Sequence, residues 1–154
     1  MIRSALAEER VFQSWLACQE GLERAVAPLT AEQLAHRSLS GRRTPGEIAE
    51  HIVFGRALHL HRALGDAVSE VTPFLTWNNA ADPARSAKDI VRGLEVTWQV
   101  IVRNVMIGAA TDEIPPGDTT LGMQVIWGLL DHDLPHVGQL SMLLRAIGLR
   151  GVEI

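Results

Sequence analysis

Along four stretches of this chain apolar residues recur at steps of three, four and seven, and no stretch alternates convincingly as a β-strand. A period near 3.6 gathers those residues on one side of a helix and leaves the charged ones on the other. The first stripe is Leu6, Phe12, Trp15, Leu16, Leu22 and Val26, stopped by Pro28. Thr30 and Gln33 in TAEQL have the spacing of a capping box, so a short helical turn is expected there, and RSLSGRR reads as loop. The second long helix opens at TPGE, with Thr44 as N-cap, Pro45 in the first helical position and Glu47 reaching back to the cap amide. It is expected to run to Gly65.

The stretch from Asp66 to Arg85 carries Pro73, Pro83 and the cluster PFLTW, and reads as a long connection of the kind that covers a site. A third helix is predicted from Ser86, with Asp89 three residues on and Ile90, Leu94, Ile101 and Val105 turned inward, until DEIPPGD ends it. The last helix is predicted from Thr119 to Ile147 or Gly148, with Leu121, Val125, Leu129, Leu140, Leu143, Leu144 and Ile147 on its apolar side. Four amphipathic helices predict an all-α four-helix bundle. With 154 residues and no internal repeat, a single domain over residues 1–154 is expected.

Composition narrows the function classes. Hydrophobic residues make up 47% and charged residues 21%, as in globular proteins, and no apolar run reaches the length of a membrane span. The formal charge of −4 gives no general attraction to phosphate backbones, and the arginines are scattered apart from Arg42 and Arg43 in a turn. Neither a nucleic-acid nor a membrane partner is expected. The stretch MIRSALAEERVFQSW becomes charged within a few residues, unlike a secretory signal, and Cys18 is the lone cysteine, so a cytoplasmic location is predicted. Cys18 has no basic neighbour one helical turn away and reads as a small packed side chain rather than a nucleophile.

The most informative segment is LDHDLPHVGQL, which sets His132 and His136 four residues apart. On a helix that separation advances about 400°, so both imidazoles project from nearly one face, about 6 Å apart along the axis, and can close on one ion. The same angular argument puts Leu129, Gln139 and Leu143 on this face, so the pair points inward. Because such spacing arises readily by chance, a third ligand is needed. His51, in GEIAEHIVFG, shares the inner face of the second helix with Ile48, Gly55 and Leu58 and supplies one. Three histidines fill three corners of a tetrahedron or one face of an octahedron and leave a position open, the mark of a catalytic rather than a structural metal. Taken singly, each also reads as an ordinary buried histidine.

HDLPH also resembles the HExxH helix of zinc proteases with Asp133 in the glutamate position, but aspartate is one methylene shorter and Pro135 disturbs the helix. Around the trio, Gly55 and Gly128 lie one turn from a ligand and are read as leaving space beside the ion, or as helix contacts. Glu47 and Glu50 are candidate acceptors for the imidazole N–H groups, Glu47 the poorer because it caps the helix. Gln139 can orient a ligand or bond within the bundle. Asp131 and Asp133 are expected to face outward or sideways, Arg145 to be a surface residue, and His36, His59 and His61 to face the surface or loops.

Taken together, TPGEIAEHI, VIWGLLDHDLPHVGQL and SMLLRAIGL resemble the DinB/YfiT-like superfamily of bacterial four-helix proteins over nearly the whole chain. The most specific match is HDLPHVGQLSMLLRAIG, with histidine, three residues, histidine, GQ, and an arginine before glycine. The resemblance implies that His51, His132 and His136 hold a zinc, nickel or similar divalent ion. It further implies a homodimer, and a thiol-dependent transferase or isomerase chemistry drawing on a low-molecular-weight thiol cosubstrate and an electrophilic substrate. Pro135 departs from the polar residue or histidine usual there, and a kink is expected between the two ligands.

Three readings follow: a metal-dependent thiol transferase or related hydrolase, a non-catalytic metal- or small-ligand-binding stress-response protein, and a bundle whose histidines are satisfied by hydrogen bonds. Residue pattern leaves the catalytic residues and the substrate open.

Overall fold

The computed structural model describes residues 2–38, 43–79, 82–106 and 119–154, and every regular element among them is helical. Helix α1 spans Ile2–Val26, α2 Ala31–Ala35, α3 Pro45–Leu64, α4 Ala87–Ile101 and α5 Thr119–Ala146. None of the helices among the described residues is long and apolar enough to cross a membrane.

Three helix starts are set by their own first residues. Thr30 with Gln33, Thr44 with Glu47 and Ser86 with Asp89 each form a reciprocal capping box, satisfying amides that have no partner within the helix. Pro45 in the first turn of α3 adds a pre-set φ at no hydrogen-bond cost. The other end of α3 is closed by Gly65, whose φ of 58° few other residues accept.

Beyond Gly65 the chain departs from the expected connection. Gly65–Phe74 is a 3-10 segment broken by non-helical backbone at Val68, and Val68, Val71 and Phe74 are buried. Their three-residue spacing matches a 3-10 repeat and turns them onto one side. A connection this long is therefore anchored by its own apolar face. After α4 a π-helical turn covers Val102–Met106.

The predicted stripes supply the core: Trp15, Leu22 and Val26 from α1, Ile90, Leu94 and Ile101 from α4, and Leu129, Leu140 and Leu144 from α5 are buried. Leu16, Val125, Leu143 and Ile147 lie at its margin, half-buried. Cys18 is packed inside, and burial pushes its thiol up despite the nearby Arg56 charge. The expectations for DEIPPGD, for LSGR within RSLSGRR, and for the side chains of Leu6, Val105 and Leu121 lie outside the described residues. Helix α3 packs on α5, α4, α2 and the 3-10 segment, while α1 packs on α4 and α5. The two helices bearing the three histidines are thus direct neighbours.

After α5 the chain packs back onto the bundle at Val152. Val152 is buried and its amide donates to Ser141 Oγ at 3.1 Å, and Gly21 of α1 lies so close to the Glu153 backbone that a side chain there would collide.

Candidate metal centre

His51 lies two turns into α3, a register set by the Thr44 cap, and His132 and His136 lie on successive turns of α5. Helix α5 is continuous through Pro135, and the histidines on either side of it still converge, with ring centroids 4.8 Å apart. His51 joins them at 5.2 Å from His132 and 4.6 Å from His136. All three are half-buried, and one nitrogen from each lies within 4.8 Å of the others.

The hydrogen bonds decide which nitrogen each ring offers. His51 Nδ1 is 3.2 Å from Asn78 Oδ1, His132 Nδ1 is 3.3 Å from Asp133 Oδ1, and His136 Nδ1 is 3.0 Å from Gln139 Oε1. Each partner atom is an oxygen acceptor, so each Nδ1 carries the proton and each Nε2 presents a lone pair. His132 Nε2 is buried without a hydrogen-bond partner. Nitrogens around a tetrahedral ion at about 2.0–2.1 Å sit roughly 3.3 Å from one another, so modest ring rotations bring this set together. Three imidazoles with engaged Nδ1 atoms, one with an orphaned Nε2, form a group that can hold a metal ion.

Electrostatics keep His51 ready for that role. Burial lowers its pKa to about 4, assisted by the charges of Arg43, His136 and His132 and opposed by the Asn78 hydrogen bond. Near neutral pH its lone pair is free. Next to Asn78 in the chain, Trp77 packs edge-on to Phe74 and lies under the Arg85 guanidinium at 4.5 Å. The stretch read as a cover for the site therefore supplies one of its polar contacts.

Several expectations about the surroundings change. Glu47 and Glu50 do not support the imidazoles: Glu47 is bonded to the Thr44 amide and Arg37, and Glu50 to Arg85. The acceptors are Asn78, Asp133 and Gln139, and Gln139 is exposed rather than turned into the core. Gly55 does not leave open space beside an ion, because a Cβ there would overlap the His132 ring, lying 2.7 Å from Nδ1 and closer to Cε1 and Nε2. A Cβ at Gly128 would meet His59 instead, with Cδ2 at 3.4 Å. His59 is not a surface residue: it is half-buried with its ring 5.6 Å from that of His132 and its Nδ1 2.8 Å from the Gly55 carbonyl oxygen. His61 is half-buried with an unpartnered Nδ1, whereas His36 and Arg145 are exposed as expected.

The largest departure is Asp133. It is fully buried rather than turned outward, and its Oδ2 accepts from Arg56 Nε at 2.7 Å and Trp15 Nε1 at 3.3 Å. Burial alone would raise this carboxyl, but the Arg56 charge and the His132 and Arg56 hydrogen bonds outweigh it and hold the pKa below the ordinary value. Clamped in this way, Asp133 is not the solvent-facing base of an HExxH protease. Arg56, also fully buried, donates through Nη1 to Gln19 Oε1 at 2.6 Å, and Gln19 donates to Glu23 at 2.6 Å. Arg56 went unremarked in the sequence, although it stands between Ile52 and Leu60 on the apolar face of α3, where a charge demands a partner.

No family model, curated protein or solved structure matches the chain.

Proposed function

We propose that this protein is a DinB/YfiT-like four-helix bundle in which His51, His132 and His136 hold a divalent ion, zinc in first place and nickel in second. It acts as a metal-dependent thiol S-transferase or a related enzyme. The observation that carries the reading is the matched set of Nδ1 contacts to Asn78, Asp133 and Gln139, in a trio that brings one nitrogen of each ring within 4.8 Å of the others. A divalent ion held there supplies a Lewis-acid position at which a small thiol, or water, loses its proton near neutral pH. The chain's residues bind and orient: Asn78, Asp133 and Gln139 fix the ring tautomers, and Gly55 admits the His132 ring. The buried Cys18 leaves the reactive sulfur to come from a cosubstrate.

Helices α1, α3, α4 and α5 supply the four long elements such a bundle needs. A homodimer finds support in Trp127, Leu134 and Met142, which are 60%, 50% and 73% exposed on one side of α5.

The test is elemental analysis of protein purified without an affinity tag or chelator, beside the triple variant His51→Ala, His132→Ala, His136→Ala. Near-stoichiometric zinc or nickel in the parent and none in the variant is expected. No metal after reconstitution with either ion overturns the reading and leaves hydrogen-bonded core histidines. Titrating a small thiol into the cobalt-substituted protein then separates transferase from passive metal binder: a sulfur-to-cobalt charge-transfer band supports the first, and its absence favours the second.

A further inference from the structure

We infer that Arg56 is a positioning residue for the metal centre, acting through Asp133 to fix the orientation and the Nδ1–H tautomer of the His132 ring. The inference rests on the metal reading and extends it into the core.

Neighbouring residues on a helix point about 100° apart, so a contact between His132 and Asp133 forms only when the carboxylate is turned back toward the ring. Two donors turn it. Arg56 Nε and Trp15 Nε1 both engage Oδ2, which leaves Oδ1 facing His132 Nδ1. The guanidinium is itself fixed, because its planar fork reaches Gln19 through Nη1 while Nε holds Asp133. Arg56 and Asp133 are both 0% exposed, so no water competes for these bonds.

The other two imidazoles lack such backing: their acceptors Asn78 and Gln139 are exposed amides. His132 is thus the ligand whose orientation is built into the core. Residues 55 and 56 of α3 divide the task, Gly55 clearing the volume the ring fills and Arg56 fixing the carboxylate that orients it. A buried ion pair that served only to join α3 to α5 would not need its second carboxylate oxygen aimed at a histidine of the site.

The experiment compares the parent with Arg56→Lys, which keeps the charge and loses the fork, and with Gln19→Leu, which loosens Arg56 while leaving the ion pair. Long-range proton–nitrogen NMR on metal-free protein reads the His132 tautomer, and chelator competition reads zinc affinity. We expect a single Nδ1–H tautomer in the parent, mixed tautomers in both variants, and zinc affinity reduced 10–100-fold in Arg56→Lys and several-fold in Gln19→Leu. An unchanged tautomer in folded Arg56→Lys overturns the inference; if that variant does not fold, an unchanged tautomer in Gln19→Leu does so. A changed tautomer with unchanged zinc affinity also overturns it. Should the parent bind no zinc, the metal reading fails, while the metal-free tautomer still decides whether Arg56 positions His132.

Discussion

Gly55 and His132 occupy one another's space: the ring of the histidine on α5 lies where a side chain on α3 would otherwise begin. Replacing Gly55 by alanine gains roughly 1 kcal/mol of helix propensity but forces the ring aside. Gly55→Ala should therefore remain helical by circular dichroism and lose at least about tenfold in zinc affinity. Gly128→Ala meets only His59 at ordinary contact distance and should bind zinc like the parent.

Removing one partner of the Arg56–Asp133 pair leaves a buried charge uncompensated. Arg56→Met and Asp133→Leu should each destabilise the fold by about 3–5 kcal/mol in urea unfolding. The double variant Arg56→Met, Asp133→Leu should lose much less than the sum of the single losses. Additive losses would mean that the two side chains do not depend on each other.

Asn78→Ala and Gln139→Ala each remove one acceptor of an imidazole N–H at an exposed position. Zinc affinity should fall 10–100-fold in each, with little change in the urea midpoint. A large stability loss without an effect on affinity would contradict the assigned contacts.

The depressed pKa of His51 makes the metal-free fold sensitive to acid. The unfolded chain takes up a proton near 6.5, whereas the folded protein resists it until about 4. Stability from this group is fully present above pH 6.5 and is lost as pH falls toward 4. Because His51 is half-exposed, solvent screening keeps the loss modest. His51→Ala should flatten that part of the stability profile, measured by urea midpoints from pH 7.5 to 4.

The exposed side of α5 predicts self-association. Leu134→Glu or Met142→Glu should lower the mass measured by light scattering from dimer to monomer while metal content is kept. A monomeric parent would remove the dimer from the proposal.

Much of the architecture was legible because its cues are local. Thr44, Pro45 and Glu47 lie within four residues and determine where α3 begins, which places His51. Spacing alone brought His132 and His136 to one face. The 3-10 segment was missed because Pro73 and the short apolar repeat of Val68, Val71 and Phe74 resemble loop punctuation when a 3.6 period is sought.

Around the histidines, what was missed spans long separations. Arg56 meets Asp133 77 positions away and Trp15 meets it 118 positions away. The sequence nonetheless held a clue in two opposite charges standing inside the apolar stripes of α3 and α5. Beside Asp131 in the sequence, Asp133 reads as facing outward or sideways, although Val137, Leu140 and Leu144 continue its side of the helix.

The sealed position of Cys18 makes the native protein a blank in colorimetric sulfhydryl assays. A thiol-consuming reaction can then be followed with an aromatic disulfide reagent, every decrement belonging to the added cosubstrate. Denaturant should release one equivalent per chain, which turns the same reagent into an internal count of the folded fraction.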